Sequence, residues 1–341
     1  MDSKKVTFAD IAKYTNFSKT TISRYFNNPD SLTLENQEKI ARALDELSYQ
    51  ENKLAKVLAN GKSEFVGIII PNLYLHYYSE MLNQILSSYS DYHYKFLVFV
   101  NSDKKELEQQ YLDELMAYKI EGLIVLSHTF SSEDLASYHI PVVAIEREAE
   151  HVCSVTTDNY MGAVQAASLL IHNNCDILIH INVPVPEKVP AFRRIQGFED
   201  TCKEQNIPYK LILRGLGNTY ETTFAAIKEI FEEIDSSYTG MKKGIFLAND
   251  TYANIFLNLV FQKYGKLPDD YQIVGFDNSP IASEAIIPIT TVGQQIDKIA
   301  RTAMDLLVLQ MNEMKKRKPN PLKNPIHQQV TPVLIRRKTT D

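Results

Sequence analysis

Apolar and polar positions alternate with helical spacing in three short runs over residues 7–49. Thr7 precedes the first run and Asp10 follows three residues later, the spacing of a capping box. A helix is therefore predicted to begin at Phe8, with Ile11 and Ala12 on its buried side. Thr15-Asn16-Phe17 breaks the pattern, and Asn16 tolerates the left-handed conformation that a tight turn needs. Ser18 then caps a second helix, Lys19 to Phe26, whose buried stripe is Ile22 and Phe26. Thr33 caps a third, with Glu35 in its first turn and Ile40, Leu44 and Leu47 on one face. A fourth and shorter run, Asn52 to Gly61, sets Leu54 and Leu58 beside Lys53 and Lys56. At that length it is marginal as an isolated helix.

From Phe65 the texture changes. Continuous apolar runs such as Phe65–Ile70, Leu123–Leu126, Val142–Ile145, Ile177–Ile181, Ile245–Leu247 and Gln272–Phe276 alternate with helical stretches. Strands of that kind belong to parallel sheets covered on both faces. They are too many for one sheet, and the pattern is interrupted near Asp158-Asn159. The fold expected is α/β: a helix-turn-helix head followed by two parallel-sheet subdomains. The expected boundaries are 1–49 for the head, 50–63 for a hinge helix and linker, 64–160 with 292–322 for one subdomain, and 161–291 with 323–341 for the other.

Two short helices across a tight turn make a helix-turn-helix, and its second helix turns Lys19, Thr20, Ser23 and Arg24 outward. Ammonium, hydroxyl and guanidinium groups at a helix start suit phosphates and base edges in a major groove. A short helix pairing leucines with lysines, as in 52–61, suits a minor-groove wedge. The candidate DNA-contacting residues are Thr7, Ser18, Lys19, Thr20, Thr21, Ser23, Arg24, Asn27, Asn52, Lys53 and Leu58. Charge alone does not demand DNA. Residues 1–62 hold ten Lys/Arg against eight Asp/Glu, on a chain of net charge −6. Phosphate contact must come from placement of Lys19, Arg24, Lys53 and Lys56 rather than from bulk charge. The distant basic run Lys315–Lys318 reads as a solvated helix end.

V-T-F-A-D-I-A-K-Y-T-N-F-S-K-T-T-I-S-R-Y-F-N, with S-Y-Q-E-N-K-L-A-K-V-L-A behind it, resembles the LacI/GalR family of bacterial transcriptional regulators. The resemblance implies a recognition helix in the major groove, with Lys19 and Thr20 at base-reading positions and Arg24 at the family's arginine. It implies paired hinge helices inserting a leucine, here Leu58. It also implies a periplasmic-binding-protein-like core with three crossovers between subdomains. Thr15-Asn16 stands where the family usually has Ala-Gly, and Tyr25-Phe26 replaces smaller aliphatics.

The 341 residues, 44% hydrophobic and 23% charged, have ordinary globular composition. No apolar run approaches the ~18 residues that cross a bilayer, and no secretory signal is legible, so no membrane partner is expected. Cys153, Cys175 and Cys202 are widely spaced and odd in number, which points to reduced cytosolic thiols, a cytoplasmic location and no metal site. There is no G-x-G-x-x-G or P-loop, so no nucleotide cofactor is expected. The lack of G-x-S-x-G and H-E-x-x-H argues against an enzyme.

Ligands of such sheets bind beyond the carboxyl ends of the strands. Those ends carry Leu75, Tyr77 and Tyr78; Ser127; Glu146 and Arg147; Arg194; Asn249; and Asp277. Carboxylates, an amide and guanidinium forks converging on one cleft suit a polyhydroxyl ligand, whose vicinal hydroxyls both donate and accept. Bland roles compete: Asp250 and Asn278 are expected to cap the helices that follow them, and Glu146–Arg147 could be a surface ion pair. R-R-I-Q-G-F, L-A-N-D and V-G-F-D sit where the LacI/GalR resemblance implies effector-binding Arg194, Asn249 and Asp277. Glu146 stands at a position usually held by Asp. The chain has no Trp, so a stacking ring must come from Tyr77, Tyr78, Phe192 or Tyr220. S-H-T-F, I-E-R-E-A-E and T-T-D-N-Y-M-G-A are similar to the sucrose-operon-repressor branch, which implies sucrose or a related fructoside. The expected protein is a homodimeric repressor of a palindromic operator, controlled by a sugar or sugar phosphate. The alternatives are a sugar solute-binding protein without DNA function, or a regulator driven by a phosphorylated carrier protein.

Overall fold

The computed structural model describes residues 6–49, 63–101, 104–319, 322 and 324–340. The chain divides into two compact units, 1–62 and 63–341. The expected hinge helix, with Asn52, Lys53 and Leu58, lies outside the described residues.

The first unit contains α1 (Phe8–Thr15), α2 (Lys19–Asn27) and α3 (Leu34–Glu46). Each starts on the residue its sequence signals. Asp10 accepts from the Thr7 amide and hydroxyl at 2.8 and 2.7 Å, the Ser18 hydroxyl accepts from the Thr21 amide at 3.0 Å, and the Thr33 hydroxyl accepts from the Asn36 amide at 3.4 Å. Asn16 ends α1 at φ +59°, the left-handed conformation that makes the turn tight. Ile11, Ile22, Ile40 and Ala43 form the buried centre. Phe8 stacks on Phe26 at 5.2 Å, and Tyr49 closes over both, so the bulky Tyr25-Phe26 pair fills an aromatic layer rather than straining the hairpin.

The second unit runs β1 (Phe65–Ile70), α4 (His76–Ser87), α5 (Tyr89–Tyr92), β2 (Lys95–Val100), α6 (Lys105–Ala117), β3 (Gly122–Val125), α7 (Ser132–Ala136), β4 (Val142–Ile145) and β5 (Cys153–Thr157). It continues through α8 (Asn159–His172), β6 (Ile177–Asn182), α9 (Phe192–Glu204), β7 (Tyr209–Leu213), α10 (Tyr220–Ser237), β8 (Lys243–Leu247), α11 (Asp250–Tyr264), β9 (Tyr271–Asp277), α12 (Pro280–Glu284) and β10 (Thr290–Gly293). Then come α13 (Ile296–Met314), β11 (His327–Val330) and β12 (Val333–Ile335). Two six-stranded sheets result, ordered β11-β5-β4-β3-β1-β2 and β12-β10-β9-β8-β6-β7. All pairings are parallel except β10 with β12.

Helices cover both faces of each sheet, which is why the strands read as unbroken apolar runs. In the first lobe Met81, Ile85, Met304 and Leu307 pack on one face, and Leu112, Leu115 and Leu135 on the other. In the second lobe α10 and α11 cover one face through Ile227, Ile230 and Phe256, while α8 and α9 cover the other through Ala166, Leu170 and Phe198. The α8–α9 pair is close because Gly197 has no side chain: a Cβ there would stand 2.4 Å from the Tyr160 carbonyl oxygen.

The chain changes lobe three times, between β5 and α8, between β10 and α13, and between β11 and β12. One expected boundary needs correction. Residues 323–341 do not all belong to the second lobe, because β11 pairs in parallel with β5 at the edge of the first sheet. Its sequence, His327-Gln-Gln-Val330, is largely exposed and polar, so it offers no apolar run to announce a strand. β10 is equally silent in the sequence: Thr290 and Thr291 are fully buried, but their hydroxyls are satisfied by Thr340, Arg337 and Asp250.

Candidate functional site

On the first unit, Lys19, Thr20, Arg24 and Asn27 are exposed along α2. Lys19 and Arg24 have no hydrogen-bond or ion-pair partner among the described residues. Asn27 instead donates back to the Ser23 carbonyl and hydroxyl at 3.0 and 3.1 Å, and Ser18 and Thr21 share a 2.9 Å hydroxyl contact. Thr7 and Ser18 are thus helix caps first. The free cations and the Thr20 hydroxyl are the groups a phosphate or base edge can recruit.

In the second unit a cavity of about 610 Å³ opens between the lobes, within the ordinary size range of small-molecule sites. Its wall brings together eight of the nine residues singled out from the sequence: Leu75, Tyr77, Tyr78, Glu146, Arg147, Arg194, Asn249 and Asp277. Ser127 stands behind the wall, fully buried, its hydroxyl donating to Glu108 at 2.7 Å.

The floor is a hydrogen-bonded relay built on two of the crossovers. Glu146, at φ +53° just past β4, accepts from the Thr157 amide and from the Asn159 side chain. Asn159 in turn accepts two bonds from the Arg194 guanidinium, at 2.6 and 3.2 Å. Arg194 also donates to the Ala248 carbonyl, and its guanidinium lies over the Phe276 ring. On the other crossover Gln294 accepts from the Thr157 hydroxyl at 2.6 Å and donates to Asp277 at 2.5 Å. Both relays join a strand end of one lobe to a strand end of the other.

Burial dominates the electrostatics. It pushes the Glu146 carboxyl up, against the hydrogen bonds from Asn159 and Thr157. Asp277 is raised well above the usual range by burial and by the neighbouring Asp250 carboxylate, with Arg194 pulling the other way. Asp250, fully buried, is pushed up to about 7 by burial although Thr291 and Ser279 donate to it. Burial lowers the Arg194 pKa, and Asp277 and Glu146 oppose that. The Tyr77 side chain is only 7% exposed, and its hydroxyl has no hydrogen-bond partner among the described residues. Such a group costs free energy unless a ligand completes it.

Several expected roles change. Asp250 is no cap: Asn249 caps α11, accepting from the Tyr252 amide at 2.9 Å, while Asp250 ties α11 to the β9–β10 end. Asn278 is no cap either; it sits at φ +56° and accepts from Arg337 at 2.7 Å. Glu146–Arg147 is not an ion pair. The Arg147 guanidinium clamps the Ser127 and Phe130 carbonyls, which makes it a brace for the loop after β3. Phe192 and Tyr220 do not line the cavity. Its aromatic rings are Tyr77, Tyr78, Phe130 and Tyr252, with the His128 imidazole. Asn182, the last residue of β6, also lines the cavity, as do His128, Gln294 and the Val183–Val189 wall just past strand ends; none of these is among the candidates read from the sequence.

Glu148, Glu150 and His151 come within metal-ligating reach of one another. Both Glu148 oxygens, however, accept from Ser132 and from the Glu150 amide, so the cluster works as a loop clamp. Among the described residues no helix is long and apolar enough to cross a membrane.

Comparison with known proteins agrees with this architecture. Residues 7–52 match the family described as bacterial regulatory proteins, lacI family. Residues 63–243, more than half the chain, match periplasmic binding proteins and sugar binding domain of LacI family, and 169–340 match the periplasmic binding protein-like domain. The ribose operon repressor of Halalkalibacterium halodurans is 28% identical over 90% of this chain and 91% of its own. The sucrose operon repressor of Streptococcus mutans is 27% identical over 88% and 91%. Among solved structures, a lac repressor dimer bound to operator and the anti-inducer ONPF superimposes with a TM-score of 0.78 at 22% identity, covering 99% of both chains.

Proposed function

The chain belongs to the LacI family of bacterial regulatory proteins, and from that premise we propose a homodimeric transcriptional repressor whose grip on operator DNA is set by a sugar between its core lobes. A recognition helix as short as α2 spans few base pairs, so useful specificity requires two half-sites and two-fold symmetry. In this reading Lys19, Thr20 and Arg24 meet the operator, and the cleft residues Glu146, Arg194, Asn249 and Asp277 meet the effector. The ligand controls operator affinity only through its different affinity for the two lobe arrangements.

The observation that carries the sugar reading is the cleft floor. The buried Asp277 carboxylate, the half-buried Glu146 carboxylate, the buried Arg194 guanidinium and the Tyr77 hydroxyl, which has no partner among the described residues, lie together beside aromatic walls. Vicinal hydroxyls satisfy donors and acceptors at once, and a ring face covers aromatic surface. Sucrose or a related fructoside is the first candidate, on the resemblance of residues 127–130, 145–150 and 156–163 and in keeping with the sucrose operon repressors among the relatives.

The test is fluorescence anisotropy of a labelled palindromic operator from upstream of the protein's own gene, at fixed salt, with and without sucrose, fructose and their phosphates. A complex tightened or released by one of these sugars is the expected result. A tight complex that no sugar moves would discard the ligand. Binding no tighter than to unrelated duplex would discard the operator reading.

A further inference from the structure

β6 carries an imidazole where a parallel strand covered on both faces would be expected to place an aliphatic side chain. All six of its residues, Ile177-Leu-Ile-His-Ile-Asn182, are buried, and His180 is fully so. The ring is packed against two neighbouring rings, Phe246, stacked at 4.5 Å, and Phe198, tilted at 5.2 Å. A polar group in such a layer costs free energy unless its bonds are made, and rule-breaking core positions gather at functional sites.

Its two nitrogens are both engaged, and the partners fix the tautomer. Nδ1 lies 3.0 Å from the Phe246 carbonyl oxygen, which can only accept, so Nδ1 carries the hydrogen. Nε2 is then bare and accepts from the Asn182 side-chain amide at 3.3 Å. Asn182 is oriented a second time by its own oxygen, which accepts from the Val183 amide at 2.8 Å. Burial holds the imidazole down to about 3, so the ring is neutral at any working pH. His180 and Asn182 are two residues apart on one strand and therefore share a face. At the end of that face Asn182, 3% exposed, lines the cleft.

The amide thus has one direction in which it can sit. Its oxygen is taken by Val183 and one hydrogen by His180. The other hydrogen has no partner among the described residues. We propose that Asn182 is a ligand-contacting residue that offers a single N–H donor to an acceptor oxygen of the bound sugar, and that His180 is the positioning residue that prevents the amide from flipping. Without His180 the amide could turn its oxygen to the cleft and select a donor hydroxyl instead. The pair therefore determines which ligand oxygen must be an ether or a hydroxyl free to accept. This deepens the cleft reading above and rests on it.

The experiment uses the full chain with ¹⁵N-labelled histidine. Long-range ¹H–¹⁵N spectra report the tautomer of each ring, and the His180 signals are those missing from His180→Phe. The expected result is the Nδ1–H form, unchanged from pH 5.5 to 8, with the Nε2 shift moved by Asn182→Ala. An Nε2–H form, or protonation in that range, would overturn the arrangement. Sucrose titration of the operator complex then tests the ligand contact. His180→Phe and Asn182→Ala should each shift the midpoint about tenfold, and the double variant no further, because the two act as one unit. Asn182→Ala leaves the aromatic layer intact, so it remains informative if His180→Phe folds poorly. Additive shifts, or an Asn182→Ala midpoint equal to that of the wild type, would refute the contact. A wild type indifferent to sucrose would remove the ligand reading and with it the contact, leaving the tautomer to decide the arrangement alone.

Discussion

The Tyr77 hydroxyl separates ligand binding from folding in a way few groups in the cleft allow. It is buried without a partner among the described residues, so deleting it removes a desolvation cost from the free protein. Tyr77→Phe should melt no lower than the wild type, and effector affinity should fall by about 1 kcal/mol, some fivefold. Calorimetry beside an effector titration checks both halves. A lower melting temperature with unchanged affinity would make Tyr77 a core residue only. Asp250 gives a pH signature. Its folded pKa is raised to about 7 from the ordinary 3.8, so the folded state binds the proton more tightly than the unfolded one. Its contribution is full below pH about 4 and is lost as pH rises through about 7. His76, His128 and His180, whose pKa values burial lowers, act in the opposite sense where histidine normally titrates, so the comparison must be internal. The melting temperature of Asp250→Asn relative to the wild type should rise between pH 5 and pH 8. A gap constant with pH would show that Asp250 does not titrate there.

At the scale of elements, the head is governed by local signals. Ser18→Ala removes the oxygen that accepts from the Thr21 amide and should cost the head about 1 kcal/mol, read by thermal melting. Arg24→Ala touches no partner among the described residues. It should leave that melt unchanged, weaken operator binding, and lower the salt slope of log K by about 1 for each phosphate no longer neutralised. An unchanged slope would remove Arg24 from the phosphate set. These helices are readable because a cap, a turn residue and an apolar stripe lie within a few positions of each other. The cleft is readable only in part, since strand ends announce themselves where apolar runs stop. Glu146, Asn249 and Asp277 can be found that way, whereas Arg194 lies in the first turn of α9. Gln294 cannot, because it follows the short, threonine-rich β10, and its role depends on Thr157 and Asp277 from opposite lobes. Asp250 and Asn278 depart from their expected capping roles for a related reason. Their partners, Thr291, Ser279 and Arg337, come together only when β9, β10 and the residues after β12 assemble.

At the scale of the molecule, the two relays across the cleft floor join the lobes where the proposed effector would sit. Gln294 touches Thr157 on one side and Asp277 on the other. Gln294→Ala should leave operator binding without effector nearly intact and reduce the coupling between effector and operator, which is typically about 1–3 kcal/mol in such systems. The ratio of operator affinities with and without saturating effector measures it. An unchanged ratio would show that the crossover bond is not part of the coupling.

The three crossovers also interleave the lobes along the chain, and this has a consequence for birth on the ribosome. The first sheet waits for β11, residues 327–330, before its β5 edge is covered, and for α13 before Met304 and Leu307 fill its core. By then the chain from Asn159 to Gly293, which supplies most of the second lobe, has already been synthesised. A nascent chain therefore carries an unfinished lobe with an open strand edge while its later-made neighbour matures. That is the state in which strand edges are captured by other chains or by chaperones.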